Sequence, residues 1–280
     1  MHLSIISTHY GKQVKSTNNV NRKHIFSLKI LDKINLELNY PMSIKSPQSY
    51  FIADISGKDS IAALLRIVEK NPSCVIVPNI IELACEYGDK KQFSKVIRRL
   101  NVSFNGKQCK LMPCIIPEAN DLWKEIVTDN IQKVIKSFGF YSPCIACHLV
   151  LHLIRIKIAN YLKVKNVISG ERELHSGREK INQLPFVLDF YNMIYKRMKI
   201  KHHLPLRYIS NAKEIDSIIE RHNAIPIYLN CLFAGNYYSK GTSNIVMNKK
   251  QIQDYVEHFL PALLNSFKKK TTVKCRILNL

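Results

Sequence analysis

Tyr50-Phe-Ile-Ala-Asp-Ile-Ser-Gly-Lys-Asp-Ser-Ile-Ala-Ala-Leu-Leu-Arg-Ile-Val68 decides how the chain is read. Its first six residues are an apolar run of strand type, Ser56 to Ser60 make a tight polar loop, and Ile61 to Val68 carry a helical pattern. At such a junction the loop's N–H groups and the helix dipole converge on one point, which suits pyrophosphate or another anion. Gly57 permits close backbone approach, Ser56 and Ser60 offer hydroxyls, Lys58 adds charge, and Asp59 either orients a magnesium ion or caps the helix. The glycine spacing is not that of a Walker loop. The plain alternative is an ordinary turn with Asp59 as its N-cap.

Outward from this unit the chain alternates. Cys74-Val-Ile-Val reads as a second strand, a helical region runs to about Leu100, and Met112-Pro-Cys-Ile-Ile-Pro reads as a third strand. Leu122 to Phe138 and Leu149 to Leu162 read as helices, Val164 to Ile168 as a fourth strand, Glu214 to Arg221 as a helix, and Ile225 to Leu229 as a fifth strand. The rhythm predicts an α/β fold, a Rossmann-like parallel sheet with helices on both faces. Residues 1–48, with short alternating pieces such as Ile25-Phe-Ser-Leu-Lys-Ile, are expected to form an N-terminal extension. Residues 49–235 are expected to form the main domain, with the anion-binding loop and a cysteine site. Residues 236–280 are expected to be a helical, basic C-terminal segment containing a helix at Lys250 to Phe267, Lys268-Lys-Lys and a short strand.

A composition 46% hydrophobic and 22% charged is globular and leaves little room for a long disordered tail. Against 42 Lys+Arg stand 21 Asp+Glu, a net charge of +21 that attracts polyanions, RNA foremost; codon bias toward lysine explains the excess equally well. Eight cysteines without an amino-terminal signal peptide predict a cytoplasmic protein whose thiols are free or bind metal. Leu149 to Leu162 is broken by His152, Arg155, Lys157 and Asn160, so no membrane span is expected.

In Pro143-Cys-Ile-Ala-Cys-His, Cys144 and Cys147 lie just before a predicted helix, where both sulfurs can reach one metal and the helix amino terminus favours thiolates. His148, His152 and Arg155 follow at i, i+4 and i+7, a polar stripe that faces either the site or solvent; each histidine alone reads as solvated rather than metal-ligating. After the fourth strand, the stretch from Ile168 to Gln183 supplies further candidates, Gly170, Glu171, Arg172, Arg178 and Asn182, at the sheet edge where open α/β folds bind ligands. Tyr195-Lys-Arg-Met-Lys-Ile-Lys-His-His and Lys268-Lys-Lys are basic, with neighbouring aromatics suited to RNA phosphates and bases.

Ile55-Ser-Gly-Lys-Asp-Ser60 resembles the PP-loop of the ATP pyrophosphatase superfamily, Ser-Gly-Gly-x-Asp-Ser, with Ile55 for the first Ser and Ser56 for the first Gly. Cys144-x-x-Cys147, a helix with Arg155, the strand ending at Gly170, and Ala224-Ile-Pro-Ile-Tyr-Leu-Asn-Cys231 follow the motif order of the tRNA 2-thiocytidine synthases over roughly residues 50 to 235. The family's Gly-His-x-x-Asp-Asp loop is Gly170-Glu-Arg-Glu here. The resemblance implies an adenine nucleotide alpha-hydrolase-like fold and an ATP-dependent tRNA sulfurtransferase with ATP, Mg2+ and a 4Fe-4S cluster. ATP would then lie on Ser56, Gly57, Lys58, Asp59, Ser60 and Gly170, and the cluster on Cys144, Cys147 and Cys231. Asp59, Arg155 and Arg172 would be the catalytic residues, with tRNA, a sulfur donor and a second copy of the chain as partners. The other cysteines, Cys74, Cys85, Cys109, Cys114 and Cys275, gain no role from it. Two alternatives stand beside this reading: an adenylating enzyme with another acceptor and a structural zinc, and a non-enzymatic RNA-binding protein.

Overall fold

The structure, a computed structural model, describes residues 27–41, 50–104 and 108–279. The described residues form ten strands and ten α-helices. The strands are β1 (Ile34–Glu37), β2 (Tyr50–Asp54), β3 (Val75–Asn79), β4 (Glu86–Tyr87), β5 (Lys110–Leu111), β6 (Cys114–Glu118), β7 (Asn166–Ile168), β8 (Lys201–His203), β9 (Asn230–Cys231) and β10 (Thr271–Leu278). The helices are α1 (Lys29–Lys33), α2 (Lys58–Lys70), α3 (Gln92–Phe104), α4 (Asn120–Ile126), α5 (Ile131–Phe138), α6 (Cys144–Tyr161), α7 (Pro185–Arg197), α8 (Ala212–Arg221), α9 (Lys249–Asp254) and α10 (Leu260–Ser266).

The main sheet runs β1-β10-β6-β3-β2-β7-β8. From β6 to β8 neighbouring strands are parallel, as the alternation predicts. The chain starts this parallel part at β2, moves outward through β3 to β6, then returns to the other side of β2 for β7 and β8. The order therefore reverses between β2 and β7, and at such a switch point the loops leaving two carboxyl ends diverge and open a crevice. Alternate side chains divide between two cores. Ile52, Val77, Ile115 and Val167 join the helices α4, α6, α7 and α10, while Phe51, Ala53, Ile76, Ile116 and Ile168 join α2, α3 and α8. Helices thus cover both faces. Ile61, Leu64 and Leu65 of α2 are fully buried, each worth about 1.5–3 kcal/mol of transfer free energy.

Several expectations change. Ile225 to Leu229 is not a strand: only Asn230–Cys231 pairs, antiparallel to Glu86–Tyr87 in a separate two-stranded ladder. The fifth parallel strand is Lys201–His203. Leu122 to Phe138 is broken by a tight turn at Thr128–Asn130. Of Ile25 to Ile30, Ile25 and Phe26 lie outside the described residues, and Lys29 and Ile30 begin α1. The long strand β10 is antiparallel to β6 and parallel to β1, so residues 34–37 and 271–278 belong to the same sheet as β2. By length and composition α6 could cross a membrane, yet it is the buried centre of one core, apolar around most of its circumference.

On the edge strand, burial and neighbouring Lys201 push the His203 imidazole down to about 4. The unfolded chain, with an ordinary pKa near 6.5, takes up its proton first as pH falls. This contribution is present above pH ~6.5 and is lost as pH falls toward 4. Urea unfolding of His203→Gln at several pH values should show a shallower loss than wild type across that window; identical slopes would refute the assignment.

Candidate functional site

Asp54, the last residue of β2, organises the loop that follows. Its carboxylate accepts from the Ser56 N–H (3.1 Å) and the Ser60 hydroxyl (2.7 Å), and pairs with Arg155 of α6 at 2.9 Å. Asp54 and Arg155 are almost fully buried. These contacts hold the loop against the sheet and leave α2 starting at Gly57 with no side-chain cap. The amides of its first turn lack intrahelical partners, and they open toward a cavity of about 420 Å³ lined by Ser56 to Ser60, Gly170, Arg172 and Tyr228. A methyl group added at Gly57 would meet nothing within 4 Å, so the loop's glycine faces open space.

Asp59 does not cap the helix. One of its oxygens is 3.2 Å from Arg172 Nε, and the other is buried without a hydrogen-bond partner among the described residues. Lys58 turns to Asp216 of α8 at 2.8 Å. Gly170 sits against the same turn: a Cβ there would lie 2.4 Å from the Ser60 amide nitrogen and 2.6 Å from the Ser60 Cα. Its absent side chain lets the β7 loop touch the start of α2. Arg172 also donates to the carbonyls of Ile209 and Ser210, which tie it to the loop before α8.

The stripe on α6 faces inward. His152 is fully buried, with Nδ1 3.1 Å from the Tyr195 hydroxyl, and Glu171 lies 3.3 Å from His152 Nε2 and 3.8 Å from His148 Nδ1. Burial alone would raise the Glu171 carboxyl, but His152, His148 and Arg155 around it hold it well below the usual range.

A second cavity, of about 630 Å³, adjoins the first and is lined by Cys85, Cys144, Cys147, Cys231, Asn182 and Tyr238. Glu86, His148, Leu151, His175, Lys180 and Gln183 border both. Cys144 and Cys147 belong to the first turn of α6 rather than to a loop before it. The amino-terminal position does not win over burial, which pushes the Cys144 thiol up to about 11. Cys231 comes in on β9, whose register sets it opposite Glu86, next to Cys85. Cys85 is buried, with its sulfur 3.9 Å from that of Cys147. Interaction with Cys147 and burial push its thiol up. Four sulfurs in one cavity are a donor set that a thiophilic metal would bind as thiolates, so their chemistry fits zinc or an iron–sulfur centre.

The structure therefore brings together Ser56 to Ser60, Gly170, Arg172 and Arg155 at one cavity, and Cys144, Cys147 and Cys231 with Arg178 and Asn182 at the next. Arg155 lies beneath the loop, engaged with Asp54. Tyr195, expected beside an RNA-facing basic cluster, is fully buried and stacks on His202 at 4.1 Å between ring centroids; Lys196, Arg197, Lys199 and Lys201 around it are exposed. Asp54 and Cys85 were missed. An acidic residue ending the strand before an anion-binding loop was a usable signal for Asp54, whereas Cys85 carries none.

No family model matches the chain. An uncharacterized protein of Methanocaldococcus jannaschii, MJ0009, is 32% identical over 212 residues, covering 75% of this chain and 76% of that one. Among solved structures, a 4-thiouridine synthetase in complex with RNA and bound ATP has a TM-score of 0.45 and 13% identity. The match covers 82% of this chain and 55% of that one, so this chain spans about half its length. The U34-tRNA thiolase NcsA of Methanococcus maripaludis with its 4Fe-4S cluster has a TM-score of 0.37 and 13% identity, over 81% of this chain and 75% of that one.

Proposed function

The chain belongs to the same family as the uncharacterized M. jannaschii protein MJ0009, and from that premise we propose that it is an ATP-dependent sulfurtransferase of PP-loop type, acting in the cytoplasm on a base of tRNA or another RNA. The observation that carries this reading is the shared wall: an anion-binding loop at the sheet's switch point opens into one cavity, and four thiols line the next.

ATP phosphates would lie over the uncapped first turn of α2 at Gly57 to Ser60, and adenine against Ile227, Tyr228 and Leu229 on the opposite wall. The buried, unpartnered oxygen of Asp59 would hold a magnesium ion, which would offset the negative charge of those phosphates. The carbonyl oxygen of the RNA base attacks the α-phosphorus, and the bond to pyrophosphate breaks. Arg172 and Lys180, which border the cavity, stabilise the charge that develops on the phosphate oxygens. Sulfur then attacks the activated base carbon, the carbon–oxygen bond breaks, and AMP leaves with the former carbonyl oxygen. Cys144, Cys147 and Cys231 would hold an iron–sulfur centre through three thiolates, which would leave one iron uncapped to supply a docking point for the sulfur to be transferred, with Cys85 beside them. A sulfur donor follows from the atom balance. Exposed Lys196, Arg197, Lys199, Lys201 and Lys268 to Lys270 supply positive charge for the RNA backbone.

Four thiols also satisfy a closed tetrahedral zinc site, the chemistry of the second reading, in which adenylation proceeds with another acceptor. Anaerobic purification with iron, sulfide and zinc analysis separates the two. About four iron and four sulfide per chain, lost in Cys231→Ala, support thiolation. About one zinc per chain, or no metal, would remove the proposed sulfur step.

A further inference from the structure

We infer that His148, His152 and Glu171 form a second metal site, for a dication of the zinc or iron(II) class, in the wall between the two cavities. One ligand atom from each lies within 4.8 Å of the others. His148 and His152 stand one turn apart on the rigid α6, so both imidazoles project from one side, and the β7 loop brings Glu171 across to meet them.

The second observation is what these atoms lack. His148 Nδ1, His152 Nε2 and Glu171 Oε2 are buried and have no hydrogen-bond partner among the described residues, although His152 and Glu171 are almost fully enclosed. His152 Nε2 approaches Glu171 Oε1 to 3.3 Å without being satisfied by it. Buried polar atoms left unpaired cost about 1–3 kcal/mol each, and one cation at their common focus would satisfy all three. Tyr195 engages His152 Nδ1 and leaves Nε2 for the site, the outer contact that metal-bound imidazoles characteristically make. Arg155 pairs with Asp54 through Nη2 at 2.9 Å, while its Nη1, 4.0 Å from Glu171 Oε1, makes no hydrogen bond to it and leaves Glu171 Oε2 without a partner.

Two imidazoles and one carboxylate select borderline dications over magnesium or calcium, which prefer all-oxygen shells. Three protein ligands leave a position open, and His148 borders both cavities, so that position is within reach of ligands in either.

The test is titration of the chelator-stripped, full-length Cys144→Ser/Cys147→Ser protein with cobalt(II), then zinc. About one cobalt should bind, with the visible bands of a nitrogen–oxygen site and no thiolate charge-transfer absorption. His148→Ala in the same background, a partly exposed position whose replacement preserves the fold, should weaken binding by at least about 100-fold. X-ray absorption on the zinc-loaded wild-type chain gives a second reading, in which nitrogen and oxygen neighbours support the site. Absent cobalt binding, equal affinity in His148→Ala, or a zinc shell of sulfur alone would overturn it. Neither nucleotide nor RNA is present in these measurements, so their failure leaves the proposed reaction standing.

Discussion

Arg155→Ala is expected to destabilise the protein by roughly 3–5 kcal/mol, the cost of stripping one partner from a buried ion pair. Asp54 would be left nearly fully buried and charged, holding only the Ser60 hydroxyl and the Ser56 amide. Replacement of both charges, Asp54→Asn with Arg155→Met, should restore much of the loss, because no uncompensated charge then remains. Urea unfolding of Asp54→Asn, Arg155→Met and the double variant measures the coupling. Additive losses would show that the pair does not act as a unit. ATP affinity should fall even in the stable double variant, since Asp54 also accepts from two groups of the loop.

Gly170→Ala should cost about 1–3 kcal/mol and weaken ATP binding by more than about tenfold. The added methyl would sit 2.4–2.6 Å from backbone atoms of Asp59 and Ser60, and backbone cannot rotate away as a side-chain tip can. Either the β7 loop or the first turn of α2 must move, and both line the proposed nucleotide cavity. Gly57→Ala is the matched control. Its methyl meets open space and its φ of −161° is extended, so the fold should be untouched while the phosphate position is narrowed. Equal ATP affinity in Gly170→Ala and wild type would show that the contact does not shape the site.

The strand, loop and helix at residues 50–68 were legible because each is specified locally, by an apolar run, a glycine and a helical repeat. The parallel α/β class followed from repetition of that unit. Ile225 to Leu229 misled because an apolar, β-branched run reads as a strand whether or not a ladder awaits it. Lys201–His203 was overlooked because an edge strand of basic residues carries little apolar signal, although His203 packs against Phe51. The pairing of β10 with β6, and of β1 with β10, joins segments that are far apart in sequence. At the site, the loop residues and the Cys144/Cys147 pair announced themselves by spacing. Cys85 joins them only through the β4–β9 ladder, and Asp54 gains its role only when α6 delivers Arg155. The sequence left the stripe of His148 and His152 facing either the site or solvent, because it does not reveal that Glu171 and Tyr195 close over it.

The central claim is that ATP bound at Gly57 to Ser60 activates an RNA base by α-phosphate transfer. It is tested most directly by incubating the anaerobically purified protein with ATP, magnesium, a sulfur donor and bulk tRNA, and identifying the nucleotide products. The account predicts AMP and pyrophosphate in equal amounts, dependent on tRNA, with sulfur in the RNA. Formation of ADP and phosphate, or no turnover in the presence of tRNA and sulfur donor, would contradict it.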